Sequence, residues 1–207
     1  LDGFPTTLPD GRHLLVPIRV LPGNGHSAVA SLIINQASFA VQDALAKALA
    51  ERLRKVDPEI VIGLPTLGLT LASAVARELG HSRFVALGTS RKFWYLDDLS
   101  VPMSSITTPD QIKRLYIDPR MLPLLEGRRI ALIDDVISSG SSMLAGLRLL
   151  SSCGLAPMVL GVAMIQTERW RPRLQEEFAS ASSKVAGVFS TPLLVKTLDG
   201  DWIAEEE

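Results

Sequence analysis

Apolar residues along the chain fall into two recurrent patterns, short unbroken runs and a spacing of four residues. The spacing of four is clear within residues 39–55, where Leu45, Leu49 and Leu53 would share one side of a helix. This helix should end before Pro58, because the residue that precedes a proline disfavours helical geometry. The pattern therefore predicts an amphipathic helix over residues 39–55.

The unbroken apolar runs predict strands that are covered on both faces, as in a parallel sheet. These runs lie within residues 59–63, 83–87, 130–133, 158–165 and 185–189. Helical spacing returns between them and predicts further helices, at residues 71–79, 143–150 and 170–178. Strand and helix thus alternate, which predicts an α/β fold with a doubly wound, mostly parallel sheet flanked by helices.

Two stretches show no clean period. The first 25 residues are rich in proline and glycine, and we interpret them as an irregular lead-in with room for one short strand at residues 13–20. Residues 88–125 contain four prolines and many Ser and Thr residues, which indicates a long loop or an excursion beside the core. Loops of this length are often functional lids.

Length and composition predict one domain. The chain has 207 residues, 47% of them hydrophobic, which is enough for one substantial core. Within it we expect residues 1–35 to form the lead-in and part of a small hood, 36–190 the core, and 191–207 a C-terminal part of the hood or a tail. The formal net charge of −1 argues against a basic nucleic-acid-binding face, so we expect no nucleic-acid partner.

The cysteine content and the length of the apolar runs indicate the cellular location of the protein. Cys153 is the only cysteine, which precludes an intrachain disulfide and fits a reducing environment. The longest apolar runs are far shorter than the roughly 20 residues that cross a bilayer. We therefore expect a cytoplasmic protein without membrane contact.

Candidate chemistry concentrates in residues 130–142, where an apolar run meets two acids and a loop of small residues. Asp134 and Asp135 directly follow the predicted strand. In open α/β sheets, ligands bind in the crevice beyond the carboxyl ends of the strands, so these acids are placed to reach a ligand. The segment 138–142, Ser-Ser-Gly-Ser-Ser, follows and leads into a predicted helix. Helix N-termini carry partial positive charge and free N–H groups, and glycine lets the backbone approach an anion closely. Acids beside such a phosphate cradle suggest a sugar phosphate as ligand.

This segment resembles the phosphoribosyl pyrophosphate (PRPP) signature of type I phosphoribosyltransferases. The resemblance extends to residues 59–68, which match the family's first core strand and pyrophosphate loop. Ser90-Arg91-Lys92 resembles the Arg-Lys pair of the adenine and xanthine phosphoribosyltransferases. Together these segments cover roughly residues 31–190 in the family's order.

The resemblance implies roles for most of these residues. Asp134 and Asp135 would be the catalytic acids that bind the ribose hydroxyls, directly or through hydrated Mg²⁺, and stabilise positive charge at C1′. The residues that would hold the 5′-phosphate are Ser138, Ser139, Gly140, Ser141 and Ser142. The residues that would contact the leaving pyrophosphate are Thr66, Leu67 and Gly68 through their backbone, and Arg91 and Lys92 through their charge.

The resemblance also implies a mobile lid over residues 93–115. Its polar residues, suited to an open state, are Ser104, Ser105, Thr107 and Thr108. Closure would exclude water that could hydrolyse the reacting centre.

The residues that would contact the acceptor base depart from those of the relatives. Gln166 falls where the xanthine enzymes place a lysine, and its neutral amide makes xanthine itself a poor match. Asn35 lies near a second polar base contact of the same enzymes. Leu67 stands where adenine enzymes carry an arginine, and the aromatic run 93–95 has no counterpart in either group but could stack on a base.

Simpler interpretations of these motifs stay open. The acid pair could be a solvated strand end, and residues 138–142 an ordinary serine-rich turn with a helix cap. Arg91 and Lys92 could be plain surface charge, and Trp94 and Tyr95 could be packing residues. The order and spacing of the motifs together favour the functional interpretation.

The leading hypothesis is a Mg²⁺-dependent phosphoribosyltransferase that joins PRPP to a nitrogenous base, purine or purine-like, and releases pyrophosphate. The alternative is a non-catalytic regulator that senses PRPP or a nucleotide, and a weaker third idea is a hydrolase that uses the same ribose grip. Relatives of this kind commonly pair, so we expect a homodimer.

Overall fold

The computed structural model describes residues 3–23, 25–103 and 113–205. The α-helices are α1 (Phe39–Leu53), α2 (Gly68–Glu78), α3 (Ser141–Ser152) and α4 (Trp170–Glu177). The strands are β1 (Gly3–Thr7), β2 (His13–Val20), β3 (Ser27–Ala30), β4 (Ile60–Gly63), β5 (Val85–Ala86), β6 (Ser100–Met103), β7 (Lys113–Tyr116), β8 (Ile130–Ile137), β9 (Val159–Gln166), β10 (Val185–Thr191), β11 (Leu193–Lys196) and β12 (Trp202–Ala204).

A five-stranded parallel sheet in the order β10-β9-β8-β4-β5 forms the centre of the molecule. Helices α1 and α2 pack on one face of this sheet. Leu49 of α1, Val75 of α2 and Ile133 of β8 belong to one buried apolar cluster there. Helix α3 covers the other face, where Leu144 and Leu132 belong to one buried apolar cluster. The doubly wound α/β fold predicted from the sequence is confirmed. Because all five strands run the same way, their carboxyl ends meet at one edge.

A second, antiparallel sheet lies beside the core in the order β1-β2-β3-β11-β12. Of the first 25 residues, predicted to be irregular with one short strand, β2 occupies the predicted residues 13–20, whereas β1 was not predicted. The signal was weak because Val16 is the one fully buried residue of β2, so the strand lacks a regular apolar alternation. We call this sheet the hood.

The excursion predicted after residue 88 contains a short hairpin of β6 and β7, followed by a 3₁₀ segment, Pro119–Leu124. Both strands of the hairpin contact α3. The predicted lid residues Ser104, Ser105, Thr107 and Thr108 lie outside the described residues, so the lid stays a prediction. None of the helices in the described part of the chain is both long and apolar enough to span a membrane.

Candidate active site

The two acids lie near the carboxyl end of the central strand β8. Asp134 and Asp135 are 6% and 8% exposed, which is unusual for carboxylates. The backbone N–H of Asp135 donates to Oδ1 of Asp134 at 3.0 Å, which fixes the orientation of the first carboxyl group. The structure thus holds two adjacent carboxyl groups, largely out of water, where ligands bind in open α/β sheets.

Burial dominates the electrostatics of this pair. It raises the pKa of Asp134 well above its usual value, and the neighbouring Asp135 carboxylate raises that pKa further because two like charges would lie close together. Burial also raises the pKa of Asp135. A cation or a set of hydroxyl donors bound to the pair would therefore stabilise its ionised form.

The turn between β4 and α2 packs directly against the first acid. A Cβ atom added to Gly68 would lie 2.7 Å from Oδ1 and 2.9 Å from Cα of Asp134, so only glycine fits. Thr66 is exposed and Leu67 is half-buried, and the peptide bond between Pro65 and Thr66 is cis. The predicted backbone group is thus brought to the acid pair, with the positive end of α2 beginning at Gly68.

The serine loop connects β8 to α3. Gly140 has φ 78°, in the left-handed region, and α3 begins at the next residue. The hydroxyls of Ser139 and Ser141 lie 3.0 Å apart. Asp134 and residues 136–143 line one cavity of about 110 Å³, called here the acid–serine cavity. The structure therefore brings an acid and the predicted phosphate cradle into a single concave site.

The predicted basic pair is less closely tied to this cavity. Arg91 and Lys92 follow β5 at the same edge of the sheet, and both are exposed. Arg91 Nη2 forms an ion pair with Asp97 Oδ1 at 3.1 Å. No hydrogen bond or ion pair within residues 3–23, 25–103 and 113–205 joins either side chain to the acid–serine cavity.

The two predicted base contacts have different environments. Gln166 ends β9, is buried, and donates from Nε2 to the backbone carbonyl of Ala30 at 2.6 Å, linking the core to the hood. Asn35 lies in a 3₁₀ turn and is exposed. Within the described chain, no hydrogen bond connects these two side chains.

Another cavity, of about 310 Å³, is separate from the acid–serine cavity. It lies between β2 and the start of α1, and its lining includes Gln36 next to Asn35. It shares no lining residue with the acid–serine cavity.

The aromatic run after the basic pair is partly fixed. Trp94 Nε1 donates to Asp118 Oδ2 at 3.0 Å, and the Tyr95 ring lies 5.7 Å from that of Tyr116. Phe93 contacts Trp94 edge-on but is 96% exposed. A hydrogen bond and ring contacts therefore engage Trp94 and Tyr95, whereas Phe93 leaves an apolar face open.

Helix α4 contributes contacts to the loop that were not predicted from the sequence. A Cβ atom on Gly140 would lie 2.8 Å from Cδ1 of Leu174 and 3.3 Å from Cβ of Trp170, so this helix packs on the loop. Arg173 Nη1 donates to the Ser139 carbonyl at 3.1 Å and to Ser141 Oγ at 3.0 Å. The one signal in the sequence for the contact of Arg173 was its position in the predicted helix, one turn after Trp170 and next to Leu174.

The acid pair suits Mg²⁺. The described residues contain no group of three or more His, Cys, Asp or Glu side chains that could hold a metal by themselves. Mg²⁺, however, is usually bound through one or two carboxylates together with substrate phosphates and water. Two buried carboxyl groups beside a phosphate cradle match that donor set.

The whole arrangement has a recognised counterpart among protein families. A family model described as "Phosphoribosyl transferase domain" matches residues 31–188. The chain belongs to this family, and the resemblance recognised from the sequence motifs is confirmed.

Two curated relatives narrow the comparison. The adenine phosphoribosyltransferase of Corynebacterium efficiens is 33% identical over 127 residues, which are 59% of this chain and 59% of that protein. The bifunctional protein PyrR of Streptomyces coelicolor is 30% identical over 112 residues, 53% of this chain and 54% of that protein. The chain thus matches less than two thirds of the length of either relative.

Solved structures agree on the fold. The Giardia lamblia adenine phosphoribosyltransferase complexed with 9-deazaadenine has a TM-score of 0.59 and 21% identity, covering 73% of this chain and 80% of that one. The adenine phosphoribosyltransferase of Rhodothermus marinus has a TM-score of 0.59 and 20% identity, covering 84% and 93%.

Proposed function

We propose that this protein transfers the phosphoribosyl group of PRPP to a purine or purine-like base and releases pyrophosphate, with Mg²⁺ as cofactor. The observation that carries the proposal is the acid–serine cavity, in which Asp134 of the buried carboxyl pair and a phosphate cradle share one concave site. The similarity to the Corynebacterium efficiens adenine enzyme supports a purine as acceptor.

The donor would lie along the carboxyl edge of the sheet. The loop 138–142 offers backbone N–H groups and hydroxyls to the 5′-phosphate, and the start of α2 offers N–H groups to the pyrophosphate. The acid pair lies between these two anion sites and accepts hydrogen bonds from the ribose hydroxyls. Its negative charge stabilises the positive charge that develops at C1′ as the bond to pyrophosphate breaks.

The cofactor would be held by Asp134 and Asp135, directly or through water. Mg²⁺ would neutralise charge on the departing pyrophosphate. The raised pKa values of both carboxyl groups fit this role, because a divalent cation lowers the cost of ionising them side by side.

Gln166 constrains which base is accepted. Its Nε2 is engaged by Ala30, and no donor among the described residues contacts its Oε1. A carbonyl oxygen only accepts hydrogen bonds, so a base that binds here must present an N–H group. The exocyclic amine of adenine and the ring N1–H of a 6-oxopurine both meet this requirement.

A base panel tests the function. With PRPP and Mg²⁺, we expect adenine or a 6-oxopurine to yield a nucleoside monophosphate and pyrophosphate. 6-Chloropurine, which has no N–H at the six-position edge, should react at least tenfold more slowly, because the base would cover Gln166 Oε1 without donating a hydrogen bond to it. Pyrophosphate release measures both. No release with any purine or pyrimidine would contradict the proposal.

The relation to PyrR supports a second candidate, a regulator that senses PRPP or a nucleotide. Such a protein would bind PRPP with Mg²⁺ in the same cavity but release no pyrophosphate with any base. The base panel separates the two candidates. A steady loss of PRPP without any base would instead indicate a hydrolase.

A homodimer is part of the proposal as well. It is supported by a cluster of exposed apolar side chains, Phe93 at 96% and Leu96 at 55%, which follows the basic pair. The cytoplasmic location stays a prediction from the single cysteine.

A further inference from the structure

The serine loop lacks a cation of its own. Residues 134–143 contain two acids and no Lys, Arg or His. A phosphate monoester carries about −1.5 to −2 charge at pH 7. N–H groups and hydroxyls of the loop would bind it, but the adjacent carboxyl pair would repel it. A positive side chain from another element would remove this imbalance.

Arg173 is in the position to do so. Its Nη1 contacts both ends of the loop's turn, the Ser139 carbonyl at 3.1 Å and Ser141 Oγ at 3.0 Å. Ser139 and Ser141 both line the acid–serine cavity. The guanidinium group therefore contacts two residues that line the cavity.

The attachment of α4 to the loop fixes this position. Trp170 is fully buried, packs on Gly140 and donates from its indole N–H to the Thr167 carbonyl at 3.0 Å. Leu174 packs on Gly140 from the next turn. Arg173 lies between these two anchors, so the helix is held on the loop on both sides of it.

Arg173 also has N–H groups that are not used in the contacts with the loop. Neither its Nε nor its Nη2 has a hydrogen-bond partner among the described residues. The other arginines nearby are engaged, since Arg148 pairs with Glu177 and Arg171 pairs with Glu168. An arginine with free, exposed donors can bind a phosphate in bidentate fashion.

We propose that Arg173 is a donor-binding residue that contacts the 5′-phosphate of the phosphoribosyl group across the serine loop. This inference rests on the proposed function. It adds a contact from α4 that the donor signature in residues 130–142 does not contain. It also links the acceptor side to the donor side, because α4 follows Gln166 after a short turn.

The test compares Arg173→Gln with Arg171→Gln, an exposed arginine of the same helix that pairs with Glu168, stacks on Trp170 and has no hydrogen bond to the loop. The probes are ribose 5-phosphate, which carries the 5′-phosphate, and inorganic pyrophosphate, which does not. Calorimetric titration should show ribose 5-phosphate binding weakened roughly tenfold to hundredfold in Arg173→Gln, the usual effect of losing a charged hydrogen bond. Pyrophosphate binding should stay within twofold, and Arg171→Gln should match the wild type for both probes.

The salt dependence of ribose 5-phosphate binding distinguishes a direct contact of Arg173 with the phosphate from a purely structural role in holding the loop. If Arg173 contacts the phosphate, ribose 5-phosphate affinity should fall less with ionic strength in Arg173→Gln than in the wild type, and Arg173→Lys should recover part of the affinity. An unchanged salt dependence, or unchanged ribose 5-phosphate binding in Arg173→Gln, would overturn the inference alone. A wild-type protein that binds neither ribose 5-phosphate nor PRPP would overturn the proposed function with it.

Discussion

Replacing Asp134 with asparagine is expected to lower turnover by about 10²–10³-fold and, at neutral pH, to raise the midpoint of thermal unfolding. The loss of turnover follows because asparagine is neutral and cannot stabilise the charge that develops at C1′ or help to hold Mg²⁺. Asp135→Asn should also be strongly impaired. Asp199→Asn, an exposed acid of the hood, is the matched control and should keep wild-type turnover.

The gain in stability follows from the direction of the pKa shift. Folding buries Asp134 and raises its pKa, so the folded state holds the proton more tightly than the unfolded state does. Stability is therefore greatest below the unfolded-state pKa of about 3.9 and falls as the pH rises through the folded-state pKa. Asparagine does not titrate and escapes this loss.

Thermal unfolding at two pH values checks this prediction. At pH 7.5 the Asp134→Asn variant should melt a few degrees above the wild type, since about 1 kcal/mol shifts Tm by about 2–4 °C in a domain of this size. Near pH 4 the difference should shrink. A variant that melts below the wild type at pH 7.5 would show that the ionised pair stabilises the fold, contrary to the burial observed here.

Replacing Gly140 with alanine is the second substitution with a large expected effect. The residue has φ 78°, and the added Cβ would lie 2.8 Å from Leu174 and 3.3 Å from Trp170. Strained backbone alone costs about 1–3 kcal/mol, and displacing α4 adds to it. We expect KM for PRPP to rise at least tenfold, because the loop and the helix that supports it must separate.

Gly154→Ala provides the control for backbone strain. Gly154 follows the same helix α3, has φ 71°, and an added Cβ there would meet no heavy atom within 4 Å. Both variants should lose stability from the left-handed backbone, but only Gly140→Ala should change KM for PRPP. Steady-state kinetics and thermal unfolding of both variants decide this. Equal KM values would mean that the contact between α4 and the loop does not shape the donor site.

The sequence predicted those parts of the fold that are marked by signals within a short stretch of the chain. Strand β8 and its loop could be recognised because unbroken apolar residues, two acids and a Ser-Gly turn are each local signals. The glycine at position 68 was predicted to contact a ligand, yet its tight packing on Asp134 depends on how α2 meets β8. That contact is a property of the assembled sheet.

The hood and α4 illustrate what the patterns could not supply. Strand β2 fully buries only Val16, so no apolar alternation marks it in the sequence, although its partners β1 and β3 are its neighbours in the chain. Arg173 resembles an ordinary surface arginine in the sequence, since its role depends on the distance to a loop more than 30 residues earlier. The environment of Gln166 likewise depends on the carbonyl of Ala30, 136 residues away.

The most direct test of the donor site is a calorimetric titration of PRPP into the wild-type protein with and without Mg²⁺. We predict saturable binding that strengthens when Mg²⁺ is present and is lost when Asp134 and Asp135 are both replaced with asparagine. No saturable binding of PRPP at millimolar concentration, or equal binding by the wild type and the double variant, would contradict a donor site built on the acid pair and the serine loop.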